Sequence, residues 1–310
     1  MVELRQAIVV ALGLCTGFGP TARAVAADPP SKAPNFGGVV NTRHNLTQSF
    51  LGVDAGWMDL SRNDYGEVCI YCHTPHGANR EIAAPLWNRT QRATTYATYD
   101  QVGTGSLTQS VTQPGANSLT CLSCHDGQTA VDSVINMPGS GGYAAGQETG
   151  QSDAFLNAWP DGPGGSFFGG HGTLDNSPGA LAQFGACQSC HSINGDQYDA
   201  ATTPAFDIFF IETDLRNDHP VGLQFPGDSP DFNGGTVDFG KLRFFDSDGD
   251  GRPDPDEVRF YDTGEGFEVE CASCHDPHGV PSNGPGSTFN PTFLRIANAG
   301  SSLCLSCHIK

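Results

Sequence analysis

The sequence predicts a mostly irregular fold with short α-helices and a few short β-hairpins around a small core. Hydrophobic residues make up only 37% of the 310-residue chain, which contains 40 glycines and 21 prolines. Such a composition interrupts regular structure often and leaves few side chains to exclude water. A second observation offsets this deficit, because a Cys-x-x-Cys-His motif occurs five times along the chain.

The five motifs share two thiols separated by two residues and a histidine directly after the second thiol. In c-type haem attachment the thiols bond to the two porphyrin vinyl groups, and the adjacent histidine becomes the proximal ligand of the iron. A zinc scaffold would need paired CxxC knuckles at short separation, and a thioredoxin-like redox pair would need one motif in a βαβ setting. A disulfide scaffold is the remaining alternative. The motif residues are Cys69, Cys72, His73, Cys121, Cys124, His125, Cys187, Cys190, His191, Cys271, Cys274, His275, Cys304, Cys307 and His308.

Five haems would supply the core that the polypeptide lacks, since each macrocycle is a large apolar plate on which loops can pack. We therefore expect one small-core pentahaem domain over residues 27–310. A loose repeat is visible in it, because Cys69–Gly77 and Cys271–Gly279 share the pattern CxxCHxPHG and each precedes a second motif. The expected order is a haem pair at 69–125, a third haem at 187–191 and another pair at 271–308.

Residues 1–26 are predicted to be a secretory signal peptide. Arg5 precedes an apolar run at 7–14, and the small residues at 24–26 offer a cleavage site. The run is too short to span a bilayer, and we expect Cys15 to leave with the leader. The mature chain should therefore lack a transmembrane segment and be secreted, through the periplasm, to the cell surface or the extracellular space. Export agrees with haem c being attached outside the cytoplasm.

The mature chain would be strongly acidic. Loss of Glu3, Arg5 and Arg23 with the leader leaves 13 basic and 33 acidic residues, a net charge of −20. Nucleic acid is therefore not expected as a partner, because its phosphates would be repelled.

Five histidines lie outside the motifs, one for each expected haem. For a single histidine a surface or hydrogen-bonded role is the default, but the equality of the two sets predicts that these residues are distal ligands. His76 and His278 each follow a proximal histidine by three residues, on the proximal side of their own haem, so each is expected to ligate a neighbouring haem. The other three are His44, His171 and His219.

Bis-histidine ligation would fill all six coordination positions of every haem iron. Met58 and Met137 are the competing distal ligands, but we expect both to serve in packing. Two imidazoles favour ferric iron more than a His/Met pair does, so low reduction potentials are expected. Six-coordinate iron leaves no position for a substrate, which predicts electron transfer without catalysis.

Residues 240–262 are predicted to form a calcium-closed hairpin. The acidic stretch satisfies the pattern D-x-D-x-D-G-x5-E, in which alternate oxygen ligands wrap the ion and Gly251 makes the sharp turn. Short strands at Leu242–Phe245 and Val258–Tyr261 flank it, so a helix-loop-helix is not expected. An acidic solvent-exposed turn is the alternative. The candidate ligands are Asp246, Asp248, Asp250, Arg252 through its carbonyl, Asp254 and Glu257.

These motifs resemble those of multihaem c-type cytochromes of the doubled CxxCH type. Within that group the chain is most similar to the outer-membrane and extracellular cytochromes that polymerise into conducting nanowire filaments in metal-reducing bacteria. The resemblance covers most of residues 40–310 in patches, and it omits the glycine-rich insertions and the acidic loop. It is carried by Arg43-His44-Asn45-Leu46, CIYCHTPHG at 69–77, CLSCHDG at 121–127, NDHPVG at 217–222 and CASCHDPHG at 271–279.

The resemblance implies a homopolymer in which haems form a continuous chain. In such filaments a histidine near the N terminus of one subunit ligates a haem of the next. His44 matches that histidine, which gives the hypothesis that it binds a late haem, for instance the fifth, of an adjacent protomer. Upstream cytochromes and extracellular electron acceptors are the other expected partners.

Two further functions stay open at this point. The chain could be a monomeric periplasmic or cell-surface carrier that passes electrons between defined partners. It could also be an enzyme such as the five-haem nitrite reductases, although these usually bind their catalytic haem through CxxCK, a motif that is absent here.

Overall fold

A computed structural model describes residues 38–46, 65, 67–136, 172–174, 187–195, 205, 207–283 and 287–309. The predicted signal peptide, Met58, Met137 and His171 lie outside these residues, as does most of the glycine-rich stretch between the second and third motifs. Among the helices of the described ranges, none is long and apolar enough to cross a membrane.

Short helical segments carry all five motifs. The first motif lies in a 3-10 turn at Val68–Tyr71, and the others lie on α1 (Ala116–His125), α2 (Gln188–His191), α3 (Cys271–Cys274) and α4 (Ser302–Cys307). Helices this short are not stable alone in water, so their conformation depends on tertiary packing. Further 3-10 turns lie at Val39–Asn41, Tyr99–Val102, Asp207–Phe209, Leu215–Asn217, Pro291–Phe293 and Ala299–Ser301.

An antiparallel sheet fills the chain between the third and fourth motifs. Its five strands follow the order β1-β5-β4-β3-β2, and β3 and β4 form the hairpin that encloses the acidic loop. Phe244 of β3 and Phe260 of β4 are fully buried, and Phe225 stacks on Phe260 with ring centroids 3.8 Å apart. The strands are β1 (Leu223–Gln224), β2 (Thr236–Phe239), β3 (Leu242–Phe245), β4 (Arg259–Asp262) and β5 (Phe267–Val269).

Three small apolar clusters replace a single large core, and each contains residues of a different motif segment. The first includes Ile70 and Tyr71 of motif one, and the second includes Leu122 of motif two. The third joins Phe260 of the sheet to Leu303 and Cys307 of motif five. The apolar packing of the described residues is therefore distributed among the motifs.

The secondary structure of the predicted fold class is confirmed, since short helices and a small antiparallel sheet are separated by much irregular chain. The two strands expected beside the acidic loop are present. β3 has the predicted bounds, and β4 begins and ends one residue later than predicted, although the Val258 carbonyl still accepts the main-chain N–H of Phe245 at 3.1 Å.

Candidate haem sites

One helical turn sets the local geometry of each motif. The main-chain N–H of the histidine donates to the carbonyl of the first cysteine four residues earlier, at 2.8 Å for His73, 2.9 Å for His191, 3.1 Å for His275 and 2.9 Å for His308. Residues separated by three or four positions share one face of a helix. In motifs one, two, four and five, both thiols and the imidazole are therefore presented on the same side of the turn, as attachment of one haem requires.

A main-chain carbonyl from a distant segment orients the imidazole at three motifs. Nδ1 of His73 hydrogen-bonds the Pro85 carbonyl at 2.8 Å, and Nδ1 of His125 hydrogen-bonds that of Phe209 at 2.6 Å. His275 does the same with Thr292 at 2.8 Å. Such a bond places the proton on Nδ1 and leaves the Nε2 lone pair for a metal, which is the usual outer-shell arrangement of a ligating histidine.

The carbonyls for His73 and His275 belong to two equivalent return segments, which we call straps one (85–88) and two (292–295). Both straps contain left-handed backbone, with φ of 52° at Leu86 in strap one and φ of 55° and 61° at Thr292 and Phe293 in strap two. Each strap then donates a main-chain N–H to the carbonyl of the second motif cysteine, from Asn88 at 2.9 Å and from Arg295 at 2.8 Å.

The CxxCHxPHG repeat of the sequence thus extends into a structural repeat that sequence reasoning missed. The straps read Pro-Leu-Trp-Asn and Thr-Phe-Leu-Arg, so no equivalent position carries the same residue and the repeat is not visible in the sequence. Their equivalence lies in backbone conformation and main-chain hydrogen bonds, which side-chain patterns do not report.

Motifs two and four dock directly on each other. The main-chain N–H of Cys271 donates to the Ser118 hydroxyl at 2.8 Å, and that of Gly115 donates to the Glu270 carboxylate at 3.0 Å. Cys271 raises the pKa of the Cys121 thiol and Cys121 lowers that of the Cys271 thiol, so the two side chains lie close together. The haem attachment atoms of these two motifs are therefore neighbours, although 150 residues of sequence separate them.

Motifs one and two are joined by a buried arginine that sequence reasoning also missed. Arg89, next to strap one, donates to the hydroxyl and carbonyl of Ser123 and to the carbonyls of Ala130 and Val131, at 2.8 to 3.1 Å. Burial, and then the nearby Cys124, raise the pKa of the Cys72 thiol to about 12. Cys72 and Cys124 therefore lie close together beside a fixed positive charge.

Motif five packs on the sheet and beside motif four. The main-chain N–H of Asn233 donates to the Cys307 carbonyl at 2.7 Å, and the Phe232 ring lies 4.7 Å from that of His308. Burial, and then Cys274, raise the pKa of the Cys307 thiol to about 12. The described motifs one, two, four and five thus form a connected row.

Motif three is attached to the side of this row. Its Cys187 N–H donates to the Thr173 carbonyl at 2.9 Å, and the Ser192 hydroxyl donates to Asp207. The same 3-10 turn that begins with Asp207 ends at Phe209, whose carbonyl holds His125. Motif three is therefore connected to motif two through main-chain segments.

The structure brings two of the predicted distal histidines to motif histidines. The ring centroids of His278 and His73 are 6.2 Å apart, and those of His44 and His125 are also 6.2 Å apart. His44 is thus beside the second motif of its own chain, whereas the sequence hypothesis assigns it to a late haem of an adjacent protomer.

Among the described residues, the rings of His76 and His219 are not paired with that of a motif histidine. His76 is exposed, and so is His219, whose Nδ1 lies 3.1 Å from its neighbour's carbonyl at Pro220. His171 lies outside the described residues. The distal roles of these three residues stay predictions.

Desolvation favours the neutral form of three of the motif and spare histidines. Desolvation, and then the nearby His125, lower the pKa of His44 to about 4, and desolvation lowers the pKa of His125 and His275 as well. Asp276 instead raises the pKa of His278 through a hydrogen bond from Nδ1 at 2.9 Å. A neutral imidazole is the form that binds a metal.

The acidic loop assembles part of the predicted calcium site. Ligand atoms of Asp246, Asp248 and Asp250 lie within 4.8 Å of one another. The Glu257 carboxylate is buried and accepts main-chain N–H groups of Ser247 at 2.6 Å and Asp254 at 2.9 Å. Three carboxylates are therefore grouped at one end of the acidic loop, while Glu257 stabilises the loop by accepting hydrogen bonds from its main chain.

The last two predicted calcium ligands lie next to this group. The Arg252 N–H donates to the Asp250 carboxylate at 2.7 Å, which keeps its peptide beside the three aspartates. Desolvation, and then the charges of Asp250 and Asp248, raise the pKa of Asp254. A cation in the loop would relieve this crowding of like charges.

A family model for the doubled CXXCH motif matches residues 265–310, which contain motifs four and five. No curated protein matches the chain. The family match supports a multihaem c-type cytochrome, a class of proteins that bind haem c covalently and transfer electrons.

Glu270 provides a pH-dependent test of the docking between motifs two and four. Burial raises the pKa of this carboxyl from 4.5 to about 7. Between these values the folded protein holds a proton that the unfolded chain releases, so the free energy of unfolding falls as pH rises through this window. We expect Glu270→Gln to remove this fall. The difference in free energy of unfolding between the variant and wild type should therefore shift in favour of the variant by up to roughly 3 kcal/mol between pH 5 and pH 8.

Chemical denaturation of the haem-loaded protein at the two pH values measures this difference. The exposed Glu265 provides the matched control, because Glu265→Gln should leave the pH dependence as in wild type. Parallel stability curves for Glu270→Gln and wild type would contradict the prediction.

Proposed function

We propose that this chain is a pentahaem c-type cytochrome that conducts electrons along a row of bis-histidine haems. The observation that most directly supports this function is the docking of motif segments one, two, four and five on one another. Each haem c, when bound, supplies an iron that accepts and releases one electron. The protein residues hold the attachment points of successive haems next to each other.

The neighbour relations support a definite route through the molecule. Arg89 and the closeness of Cys72 to Cys124 join motifs one and two, and Ser118 joins motif two to motif four. Strand β4 joins motif four to motif five, because Tyr261 donates its hydroxyl to the Ala272 carbonyl at 3.3 Å and Phe260 packs in the cluster that contains Leu303 and Cys307. We infer that electrons follow the order one, two, four, five, and that the haem of motif three is a side branch.

Removing single haems tests this order. We expect Cys121→Ala/Cys124→Ala, which removes the second haem, to lower the electron current across a protein film between two electrodes by roughly tenfold or more, since it opens a gap in the row. The matched variant Cys187→Ala/Cys190→Ala removes the third haem, and its current should stay within about twofold of wild type.

Mass spectrometry and absorption spectra provide the controls. Wild type should carry five covalent haems, all low-spin, and each variant four. Equal losses of current in both variants would contradict the proposed order. A high-spin signal in oxidised wild type would favour the multihaem reductase.

We further propose that the protein is secreted and forms an extracellular filament that takes electrons from upstream cytochromes and delivers them to external acceptors. The resemblance to filament-forming cytochromes supports this assembly, and so does the surface at motif five. There Leu305 and Ile309 are 45% and 48% exposed beside the last haem attachment site. An apolar surface at the end of the haem row is a suitable contact for the next copy.

Negative-stain microscopy of secreted protein tests the filament. We expect wild type to form filaments and Leu305→Asp to form single particles, because a charge would be buried at the contact. Phe239→Asp is the matched control, since Phe239 is similarly exposed but lies on the edge strand β2, outside the motif segments. Single particles from wild type would instead support the monomeric carrier.

We also propose that the acidic loop binds Ca²⁺ and stiffens the β3–β4 hairpin before motif four. The grouping of Asp246, Asp248 and Asp250 supports this, as does the crowding at Asp254. Carboxylate oxygens at alternate positions suit a hard cation, and Glu257 and the Arg252 carbonyl complete the expected ligand set. A steadily bound ion of this kind would have a structural role.

Calcium removal tests the loop. We expect a chelator to lower the melting temperature of wild type by several degrees, because ligand binding to the folded state adds stability. Asp248→Asn should melt at the lower temperature with or without the chelator. Asp256→Asn, which alters the loop outside the ligand pattern, should still respond like wild type. Identical melting of wild type with and without the chelator would exclude the structural ion.

A further inference from the structure

Two pairs of histidine rings, far apart in sequence, have the same separation. His73 of motif one and the spare His278 have ring centroids 6.2 Å apart. His125 of motif two and the spare His44 also have ring centroids 6.2 Å apart. Each pair joins one predicted proximal ligand to one predicted distal ligand.

This separation fits one metal ion between the rings. With metal–nitrogen bonds of about 2 Å on each side and the ring radius added, two opposite imidazole ligands have centroids roughly 6 Å apart. Both pairs therefore have the spacing of axial ligands on a single iron.

The hydrogen bonds of all four rings also suit ligation. Nδ1 of His73 and His125 is bonded to the carbonyls described above, Nδ1 of His278 to the Asp276 carboxylate, and Nδ1 of His44 to the Pro277 carbonyl at 3.3 Å. In each ring the proton is held at Nδ1, and Nε2 is left for the metal. Four rings in this state, in two matched pairs, are difficult to explain by packing alone.

We propose that His278 is the distal ligand of the first haem and His44 the distal ligand of the second haem, both within one chain. This inference rests on the proposed function, in which motifs one and two carry haems. It assigns His44 to its own subunit and so departs from the inter-subunit role that the resemblance implies. Filament contacts would then depend on surfaces other than His44.

The segment that follows motif four connects both sites. Pro277 holds Nδ1 of His44, and the next residue is His278. Phe293 of strap two stacks on the His44 ring with centroids 4.5 Å apart and planes 11° apart. The chain that follows motif four thus contributes to the distal sides of both proposed haems.

Carbon monoxide binding to the reduced protein tests the pairing, because it binds only where an iron lacks a sixth ligand. His44→Ala and His278→Ala should each bind one carbon monoxide, and wild type none. In a double-variant cycle, adding His44→Ala to His125→Ala should add no site, since both residues serve the same iron. This holds even if His125→Ala loses the second haem altogether.

Matched controls use the crossed pairs. Adding His44→Ala to His73→Ala should add one site, because these residues serve different irons. Adding His278→Ala to His73→Ala should add no carbon monoxide site, because both residues serve the first haem. Adding His278→Ala to His125→Ala should add one site, because these residues serve different haems. One additional site in the His44/His125 or His278/His73 double variant would overturn the corresponding pairing.

Wild-type protein diluted to single protomers tests whether His44 acts within its own chain. Such protomers should bind no carbon monoxide at the second haem. The intra-chain assignment would be overturned if wild-type protomers bound one carbon monoxide and His44→Ala protomers bound no more than wild type.

The electron paramagnetic resonance spectrum of the oxidised protein gives an independent readout. The ring planes of His73 and His278 differ by 13°, and those of His44 and His125 by 76°. Near-parallel imidazoles give a rhombic low-spin signal, whereas near-perpendicular ones give a strongly anisotropic signal. His278→Ala should remove a rhombic signal and His44→Ala a strongly anisotropic one, and the reverse result would contradict the pairing.

Mass spectrometry of peptides 69–73 and 121–125 separates failure of this inference from failure of the proposed function. Peptides without covalent haem would refute both. Haem-bearing peptides with additive carbon monoxide binding in the double variants would refute only the pairing.

Discussion

The bond between a motif histidine and a main-chain carbonyl from a remote segment is the constraint on which the described structure depends. A helical turn can place two thiols and an imidazole on one face, but it does not fix the rotation of the ring. The carbonyls of Pro85, Phe209 and Thr292 fix it, and each is delivered by chain that must return to the motif. The straps and the turn at 207–209 follow from that requirement.

The same requirement explains where polar groups are buried. Arg89 and Arg295 are nearly inaccessible, and each donates mainly to carbonyls of motif segments or of the chain beside them. A buried guanidinium is costly unless its donors are used, and here they bind irregular chain that has few partners of its own. Irregular structure around the motifs is thus stabilised by side chains that replace missing secondary-structure hydrogen bonds.

The apolar clusters complete this arrangement without forming a conventional core. Each cluster lies against a different motif, and the sheet contributes mainly by packing Phe225, Phe260 and its neighbours beside motif five. A chain with this composition has little apolar surface to bury, and the proposed haems would add large apolar surfaces next to these clusters. The docking of Cys271 on Ser118 then links the clusters through the haem attachment sites.

The sequence by itself determined the features that depend on local spacing. The CxxCH turns, the β3–β4 hairpin and the aspartates of the acidic loop all follow from residues a few positions apart, because one helical turn or one hairpin sets their geometry. Only the tertiary structure decided which remote segments meet. Straps one and two share backbone geometry without shared residues, and the approach of His44 to His125 and of His278 to His73 depends on chain packing across long separations. Counting histidines predicted that motif and spare residues would be matched, but the partner of each ring is set by the folded path of the chain.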